Sequence, residues 1–166
     1  MEQSIIDMLL VIDAETILAA YPPGTADNPT SIDQPLIFML VRTDAVVFGQ
    51  ASKELKIKAQ TEDVLRWRQN TASSNSTYSG LLYKFLCLKG DNLISPPNPI
   101  LATVQTPLPN PANPTVPGIQ TIQNYFWEST VLAAGSLTYA FYFMIVDRHN
   151  NVKGYYYWDP FITITA

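Results

Sequence analysis

Side chains that could perform nucleophilic chemistry are scarce in this chain of 166 residues, which contains one His and one Cys. A Ser-His-Asp triad could use only His149, which lies in a predicted tight turn, and the Gly-x-Ser-x-Gly motif does not occur. A Cys-His pair would need His149 beside Cys87, yet the apolar run Phe85–Leu88 predicts a buried strand. Glycine-rich phosphate loops are also absent from the sequence. We therefore expect no catalytic residues and no enzyme activity.

The same scarcity limits the metals that the chain could bind. Copper and zinc sites need more His and Cys ligands than one residue of each can provide. Carboxylates at predicted strand ends, among them Asp13, Glu15, Asp147 and Asp159, could bind calcium, which takes oxygen ligands. No Asp-x-Asp-x-Asp loop occurs, and single aspartates at strand ends commonly cap turns. The sequence predicts no metal site and no cofactor, with calcium left open as an alternative.

Aromatic and arginine side chains offer a third kind of chemistry, the binding of a sugar or another small ligand. Aromatic rings in the run Tyr155–Trp158 could stack on sugar rings. Because side chains alternate along a strand, Tyr155 and Tyr157 lie on one face and Tyr156 and Trp158 on the other, so at most one of these pairs can face outward. Two arginines flank Trp67 and could form a cation-π patch, or Trp67 could be a core anchor between solvated neighbours. The candidate ligand-binding residues are Tyr156, Trp158, Asp147, Asp159, Arg66 and Arg68.

Strands must position these residues, because alternating and β-branched runs dominate the chain. The clearest signature is the segment Tyr139–Ile164, which reads as two strands joined by a polar turn, an Asp-Pro corner and a last strand. Ile5–Asp13 and Gly80–Leu88 predict further strands, and no helical pattern reaches ten residues. Short helical turns are possible only at 13–20 and 124–130. The sequence predicts one all-β domain over residues 1–166, an antiparallel two-sheet β-sandwich of Greek-key or jelly-roll type.

Eight prolines lie between Ser95 and Gly118, and proline cannot donate a hydrogen bond to a sheet. We expect a long proline-rich connection, about residues 95–118, that lies over one face of the sandwich. A short edge strand around Ile100, Leu101 and Val104 would fit within it. The alternative is a polyproline II ligand for a proline-recognising partner.

The strand Tyr139–Val146 is apolar on both faces, whereas an outer sheet face of a monomer should carry polar residues. Either the proline-rich connection or a second subunit is expected to cover the outer face. The sequence therefore predicts a homodimer or larger assembly that forms through an aromatic sheet face.

Composition is consistent with self-association. Charged residues make up 14% of the chain and the net charge is -4, so repulsion between copies is weak. The ten Lys and Arg residues are scattered, which argues against nucleic acid as a partner. No run is long enough for a membrane span, and Ile5–Ile12 reads as a strand and not as a signal peptide, so a cytoplasmic location is expected.

Three motifs in order resemble the AidA/PixA-type inclusion-body proteins. They are Asp13-Ala-Glu-Thr-Ile-Leu-Ala-Ala-Tyr-Pro, Asp63-Val-Leu-Arg-Trp-Arg, and Asp147-Arg with Gly154-Tyr-Tyr-Tyr-Trp-Asp-Pro-Phe-Ile. The sequence departs from the family pattern at Glu62, where Gly is usual, and it lacks the methionine-rich character of one namesake. The resemblance implies a non-enzymatic bacterial protein, linked to a host-associated or quorum-regulated lifestyle, that accumulates in cytoplasmic inclusions. The alternative is a lectin-like module that binds carbohydrate, with or without calcium.

Overall fold

Twelve strands and one helix make up the part of the chain that the computed structural model describes, residues 3–165. In chain order they are β1 (Ile5–Ile12), α1 (Ala14–Ala20), β2 (Thr30–Ser31), β3 (Ile37–Leu40), β4 (Val46–Phe48), β5 (Leu55–Lys58), β6 (Val64–Thr71), β7 (Tyr78–Lys89), β8 (Asn98–Leu108), β9 (Gly118–Thr130), β10 (Gly135–Asp147), β11 (Val152–Trp158) and β12 (Phe161–Thr165). Over this range, no helix is long and apolar enough to span a membrane.

The strands form two sheets that pack face to face. Sheet A has the order β3-β1-β6-β9-β8, and sheet B has the order β2-β11-β10-β12-β5-β4, with β7 along the other side of β10. The all-β, two-sheet sandwich is confirmed. Both sheets are mixed, because β1 runs parallel to β6, β2 parallel to β11, and β5 parallel to β12.

The core lies between the sheets and follows the two-residue period of the strands. Met8 and Leu10 of sheet A face Phe141 and Phe143 of sheet B, and all four are fully buried. Burial of each such side chain contributes roughly 1.5–3 kcal/mol to folding. The face of β10 that carries Tyr139, Phe141, Phe143 and Ile145 is therefore the centre of the core.

A short helix follows the first strand. The Asp13 carboxylate accepts a hydrogen bond from the backbone nitrogen of Thr16 at 3.1 Å, which caps the helix N-terminus, and Ile17 packs into the core. The predicted helical turn at 13–20 corresponds to α1. The second predicted turn, at 124–130, is wrong, because these residues lie in β9 and alternate residues, including Trp127 and Ser129, face the core.

The C-terminal motif forms one interrupted strand along β10. Residues of β11 pair with Phe141–Val146, and residues of β12 pair with Gly135–Thr138. Asp159 and Pro160 lie at the interruption, where the backbone nitrogen of Tyr139 donates to the carbonyl of Pro160 at 3.1 Å. The Asp-Pro step is thus a local break in a continuing strand, which bends the chain without leaving β10.

The predicted cover made by the proline-rich connection is wrong. Residues 98–108 form β8, which pairs with β9 at the edge of sheet A, and only 109–117 are a loop. Pro99 and Pro107 occupy positions of the same parity on β8, so their nitrogens point away from β9, where no hydrogen bond is needed. Proline is therefore compatible with a strand here because the strand is at an edge.

Candidate functional site

The two candidate arginines lie on the outer face of sheet A, where both cover one ring. The guanidinium carbons of Arg66 and Arg68 lie 4.9 and 4.2 Å from the ring centre of Phe126, which is buried beneath them. Arg66 also pairs with Glu128 at 2.7 Å, and Arg68 pairs with Asp7 at 2.6 Å. Both charges are therefore already matched within the chain, and the arrangement seals an apolar ring at the sheet surface.

Trp67, between these arginines, faces the opposite way and is fully buried. Its side chain contacts Phe141 at a ring distance of 5.6 Å. The core-anchor interpretation is confirmed for Trp67. The cation-π contacts do form, but they involve Phe126 of the neighbouring strand.

Tyr156 and Trp158 lie in the core, with exposures of 0% and 2%. Tyr156 packs on Phe143 and Trp158 stacks on Phe141, because β11 turns these alternate positions towards sheet A. A Cβ atom at Gly154 would lie 2.6 Å from the Tyr156 hydroxyl, so the glycine of this motif makes room for the ring. Strand alternation therefore turns both side chains inward, and neither ring is accessible for a sugar to stack on.

Tyr155 and Tyr157 are the outward pair, and they belong to a cluster of tyrosines on the outer face of sheet B. Tyr157 stacks on Tyr142 at 5.3 Å, and Tyr83 meets the rings of Tyr142 and Tyr155 edge to face at 6.2 and 5.7 Å. Lys84 lies 4.8 Å above the Tyr142 ring. Burial raises the pKa of Tyr83. These side chains cover the outer face of β10. The sequence analysis had expected either the proline-rich connection or a second subunit to cover that face.

Asp147 organises the turn between β10 and β11. Its carboxylate accepts hydrogen bonds from the backbone nitrogens of His149 and Asn151, both at 2.9 Å, and pairs with Lys153 at 2.8 Å. The hydrogen bond from Lys153, together with those from Asn151, lowers the pKa of Asp147 well below its ordinary value. This carboxylate is a turn cap.

Asp159 is exposed at the opposite end of β11. Seven strand residues lie between it and the Asp147 turn, which corresponds to about 20 Å. The two carboxylates are therefore too far apart to bind one ion. Across residues 3–165, no three His, Cys, Asp or Glu side chains are grouped so that they could hold a metal.

The six candidate residues do not converge. The arginines are on the outside of sheet A, the two aromatic residues are in the core, and the carboxylates are at opposite ends of β11. The predicted burial of Phe85–Leu88 is also only partial, because Leu86 and Leu88 are exposed and Cys87 is half-buried. Burial raises the pKa of the Cys87 thiol, which disfavours the reactive thiolate.

The short edge strand predicted around Ile100, Leu101 and Val104 is confirmed as part of β8, at the edge of sheet A. Sequence reasoning missed its length and the most unusual surface of the molecule, the projecting part of the β8–β9 hairpin. We call residues 100–126 the arm, since β9 pairs with β6 only from Trp127 onward, and in the described chain the arm has no second strand beside it. Leu101 and Ile119 are exposed to 66% and 73%.

An open cleft of about 380 Å³ lies beside the base of the arm, at the free edge of β7. We call it the edge cleft; its apolar lining includes Tyr83, Phe85, Cys87, Ile94, Pro97 and Trp127. The Leu82 carbonyl on β7 accepts hydrogen bonds from the Tyr125 hydroxyl at 2.8 Å and the Trp127 indole nitrogen at 3.4 Å. These bonds fix the base of the arm against sheet B.

A family model described as PixA, inclusion body protein, matches residues 4–164. Among solved structures, the chain is similar to the crystal structure of an inclusion body protein (PixA) from Burkholderia cenocepacia J2315, with a TM-score of 0.82 and 23% sequence identity. That match covers 99% of this chain and 98% of the other, and it supports the sandwich fold. A comparison with curated proteins gave no match. Because the family model spans nearly the whole sequence, the chain belongs to the PixA family of inclusion body proteins.

Proposed function

We propose that this protein is a non-enzymatic, self-associating protein that accumulates, folded, in inclusions of the bacterial cytoplasm. The observation that carries the proposal is the surface of the arm, which is uncharged and exposes several large apolar side chains. From Asn92 to Trp127 the sequence contains no charged residue. Within this segment Leu101, Val116 and Ile119 are each more than half exposed.

Such a surface favours association between copies. Burial of one exposed Leu or Ile side chain stabilises a contact by roughly 1.5–3 kcal/mol, and the arm offers several. The net charge of -4 opposes this only weakly. Membership in a family described as inclusion body proteins supports the same activity.

The arm replaces the outer face of β10 as the proposed contact surface. On that face Ala140 and Val146 are buried and Tyr142 is half-buried. Tyr83 and Tyr157 pack against Tyr142, so the face is largely covered by the chain itself. The arm has the larger exposed apolar side chains.

The link to a host-associated or quorum-regulated lifestyle follows from the family resemblance alone and forms part of this proposal. A lectin-like function is less well supported, because the candidate aromatic residues are buried and the candidate carboxylates are far apart.

Sedimentation velocity of the purified protein over a wide concentration range tests self-association. We expect a mass above that of the 18.5 kDa monomer at micromolar concentration, with native β-sheet circular dichroism and little dependence on salt, because the contacts are uncharged. A monomeric mass at every concentration would refute the proposal.

A further inference from the structure

One edge of the arm is an unpaired strand edge. β9 pairs with β8 without a register shift from Gly118 onward, but it pairs with β6 only over residues 127–130. Along residues 118–126, the side of β9 that would face β6 therefore has no strand beside it in the described chain. A two-stranded ribbon alone is at best marginally stable in water, so a further strand at this edge would stabilise the arm.

The base of β9 shows which backbone groups point to the free edge. The nitrogen and the carbonyl of Val131 both bond towards β6, to Asp63 and Glu62, each at 2.8 Å. Thr130 faces the other way, and its carbonyl accepts a hydrogen bond from the nitrogen of Ser95 at 2.9 Å. Because the backbone groups of successive residues alternate in direction, the odd-numbered residues of β9 direct their N–H and C=O groups to the free edge. In the arm these are Ile119, Thr121, Gln123 and Tyr125.

The two edges of the arm differ in what they offer to a further strand. Pro99 and Pro107 lie on the free edge of β8, where they have no N–H to donate. Residues 118–126 contain no proline and no charged side chain, which are two of the features that keep edge strands from pairing. We therefore expect a strand to add at β9 and not at β8.

We propose that two copies of this chain pair through the free edges of β9, antiparallel to each other and about a two-fold axis at Ile122. This inference rests on the proposed self-association and specifies how it occurs. In this register, Thr121 of one copy lies opposite Gln123 of the other, and Ile119 lies opposite Tyr125. Every residue with free backbone groups then has a partner, which gives about eight hydrogen bonds between the chains. A shift of the axis by one residue would leave either Ile119 or Tyr125 without one.

The side chains suit this pairing. Ile122 is exposed to 38%, and it meets its own copy across the axis in a non-hydrogen-bonded pair, where side chains lie closest. On the other face of the ribbon, Ile119 beside Tyr125 is a β-branched and aromatic pair, and Thr121 beside Gln123 is a polar pair. Strand pairing needs no continuous apolar face, so the polar side chains of the arm do not oppose it.

A second copy suits the edge better than a single strand from another protein. Each copy brings β8 together with β9, so the product is one antiparallel ribbon of four strands in place of two marginal hairpins. From Asn92 to Trp127 neither chain carries a charge, so the two arms meet without electrostatic repulsion. Because the paired strands are antiparallel, the two sandwiches lie at opposite ends of the shared ribbon. The contact is closed and symmetric.

Disulfide formation tests the register through a change that removes no backbone hydrogen bond. In a Cys87→Ser background, Ile122→Cys should form a disulfide-linked dimer rapidly under mild oxidation. The reason is that a non-hydrogen-bonded pair places the two Cα atoms about 4.5 Å apart, within the range of a disulfide. Gln120→Cys is the matched control on the same face, since its copy lies four residues along the paired strand, about 14 Å away. Cross-linking of Ile122→Cys no faster than that of Gln120→Cys would overturn the proposed pairing.

Proline substitution tests which edge is used. Thr121→Pro removes an N–H from the free edge of β9 and should reduce the mass in sedimentation velocity from dimer to monomer. Gln105→Pro is the matched control, because Gln105 lies directly opposite Thr121 and the change removes an N–H from the free edge of β8, so this variant should remain dimeric. Neither N–H pairs with the other strand of the arm, so both variants should keep the native circular dichroism.

The outcomes separate this pairing from self-association in general. If the wild-type protein associates but Thr121→Pro leaves its mass unchanged, or Gln105→Pro reduces it equally, edge pairing fails and self-association stands. If the wild-type protein is monomeric at every concentration, the proposed function fails and edge pairing between copies fails with it. The free edge of β9 would then be left to a strand from another protein.

Discussion

The indole nitrogen of Trp67 donates a hydrogen bond to the hydroxyl of Tyr139 at 3.2 Å, and neither residue is exposed to solvent. Trp67 belongs to β6 of sheet A and Tyr139 to β10 of sheet B, so the bond joins the two sheets through the core. Burial strongly raises the pKa of the Tyr139 hydroxyl, which therefore remains a neutral partner. A buried polar pair of this kind favours one relative placement of the sheets.

Tyr139→Phe should destabilise the protein by about 1–3 kcal/mol, because the buried nitrogen of Trp67 loses its acceptor. The free energy of unfolding in urea measures the effect. Tyr142→Phe is the matched control, since it removes a hydroxyl from the outer face of the same strand and should cost less. Equal losses in the two variants would contradict a special role for the buried bond.

Trp158→Ala should cost about 3–5 kcal/mol, because it leaves a large cavity beside Phe141 and Phe143. Tyr157→Ala, one residue earlier but on the outer face, should cost clearly less. Chemical denaturation of both variants checks the difference. A stable, soluble Trp158→Ala protein with altered ligand binding would instead place Trp158 in a binding site.

The period of two predicts which residues share a face, such as Tyr139 with Phe141 on β10. It does not decide which of the two apolar faces of β10 is inward, and the core position of Trp67 was one of two interpretations. Alternation alone could not decide which of Tyr156 and Tyr157 faces inward, because both neighbours are aromatic. That choice is made by the register of β11 on β10, a tertiary contact.

Pairing between strands distant in the sequence could not be predicted from local patterns. The parallel pairing of Ile5–Ile12 with Val64–Thr71 joins segments more than fifty residues apart, and nothing local encodes its direction. The proline-rich segment was predicted to be a connection over one face for a related reason. Proline is excluded from central strands but tolerated in an edge strand, and whether a strand lies at the edge depends on the whole sheet. The arm, and with it the candidate contact surface, therefore appeared only in the structure.

Acid should weaken the turn between β10 and β11 through Asp147. Its pKa in the folded state lies below the ordinary value of 3.8, so the ionised carboxylate stabilises the fold above that pH. This stabilisation is lost as the pH falls through the folded pKa. Asp147→Asn should therefore lower the free energy of unfolding at neutral pH, and its difference from wild type should shrink at strongly acid pH. Asp159→Asn, at an exposed carboxylate, is the control, and a difference independent of pH would argue against the prediction.

Calcium should leave the protein unchanged. The Asp147 carboxylate is already bonded to Lys153 and to the backbone of its own turn, and Asp159 lies about 20 Å away. We expect the same melting temperature in millimolar calcium and in chelator, and no calcium-dependent signal on a glycan array. Calcium-dependent binding that disappears in Asp147→Asn would assign a lectin site to this turn. Binding without calcium that disappears in Tyr157→Ala would assign it to the outer tyrosine cluster, because those rings are the ones β11 turns towards solvent.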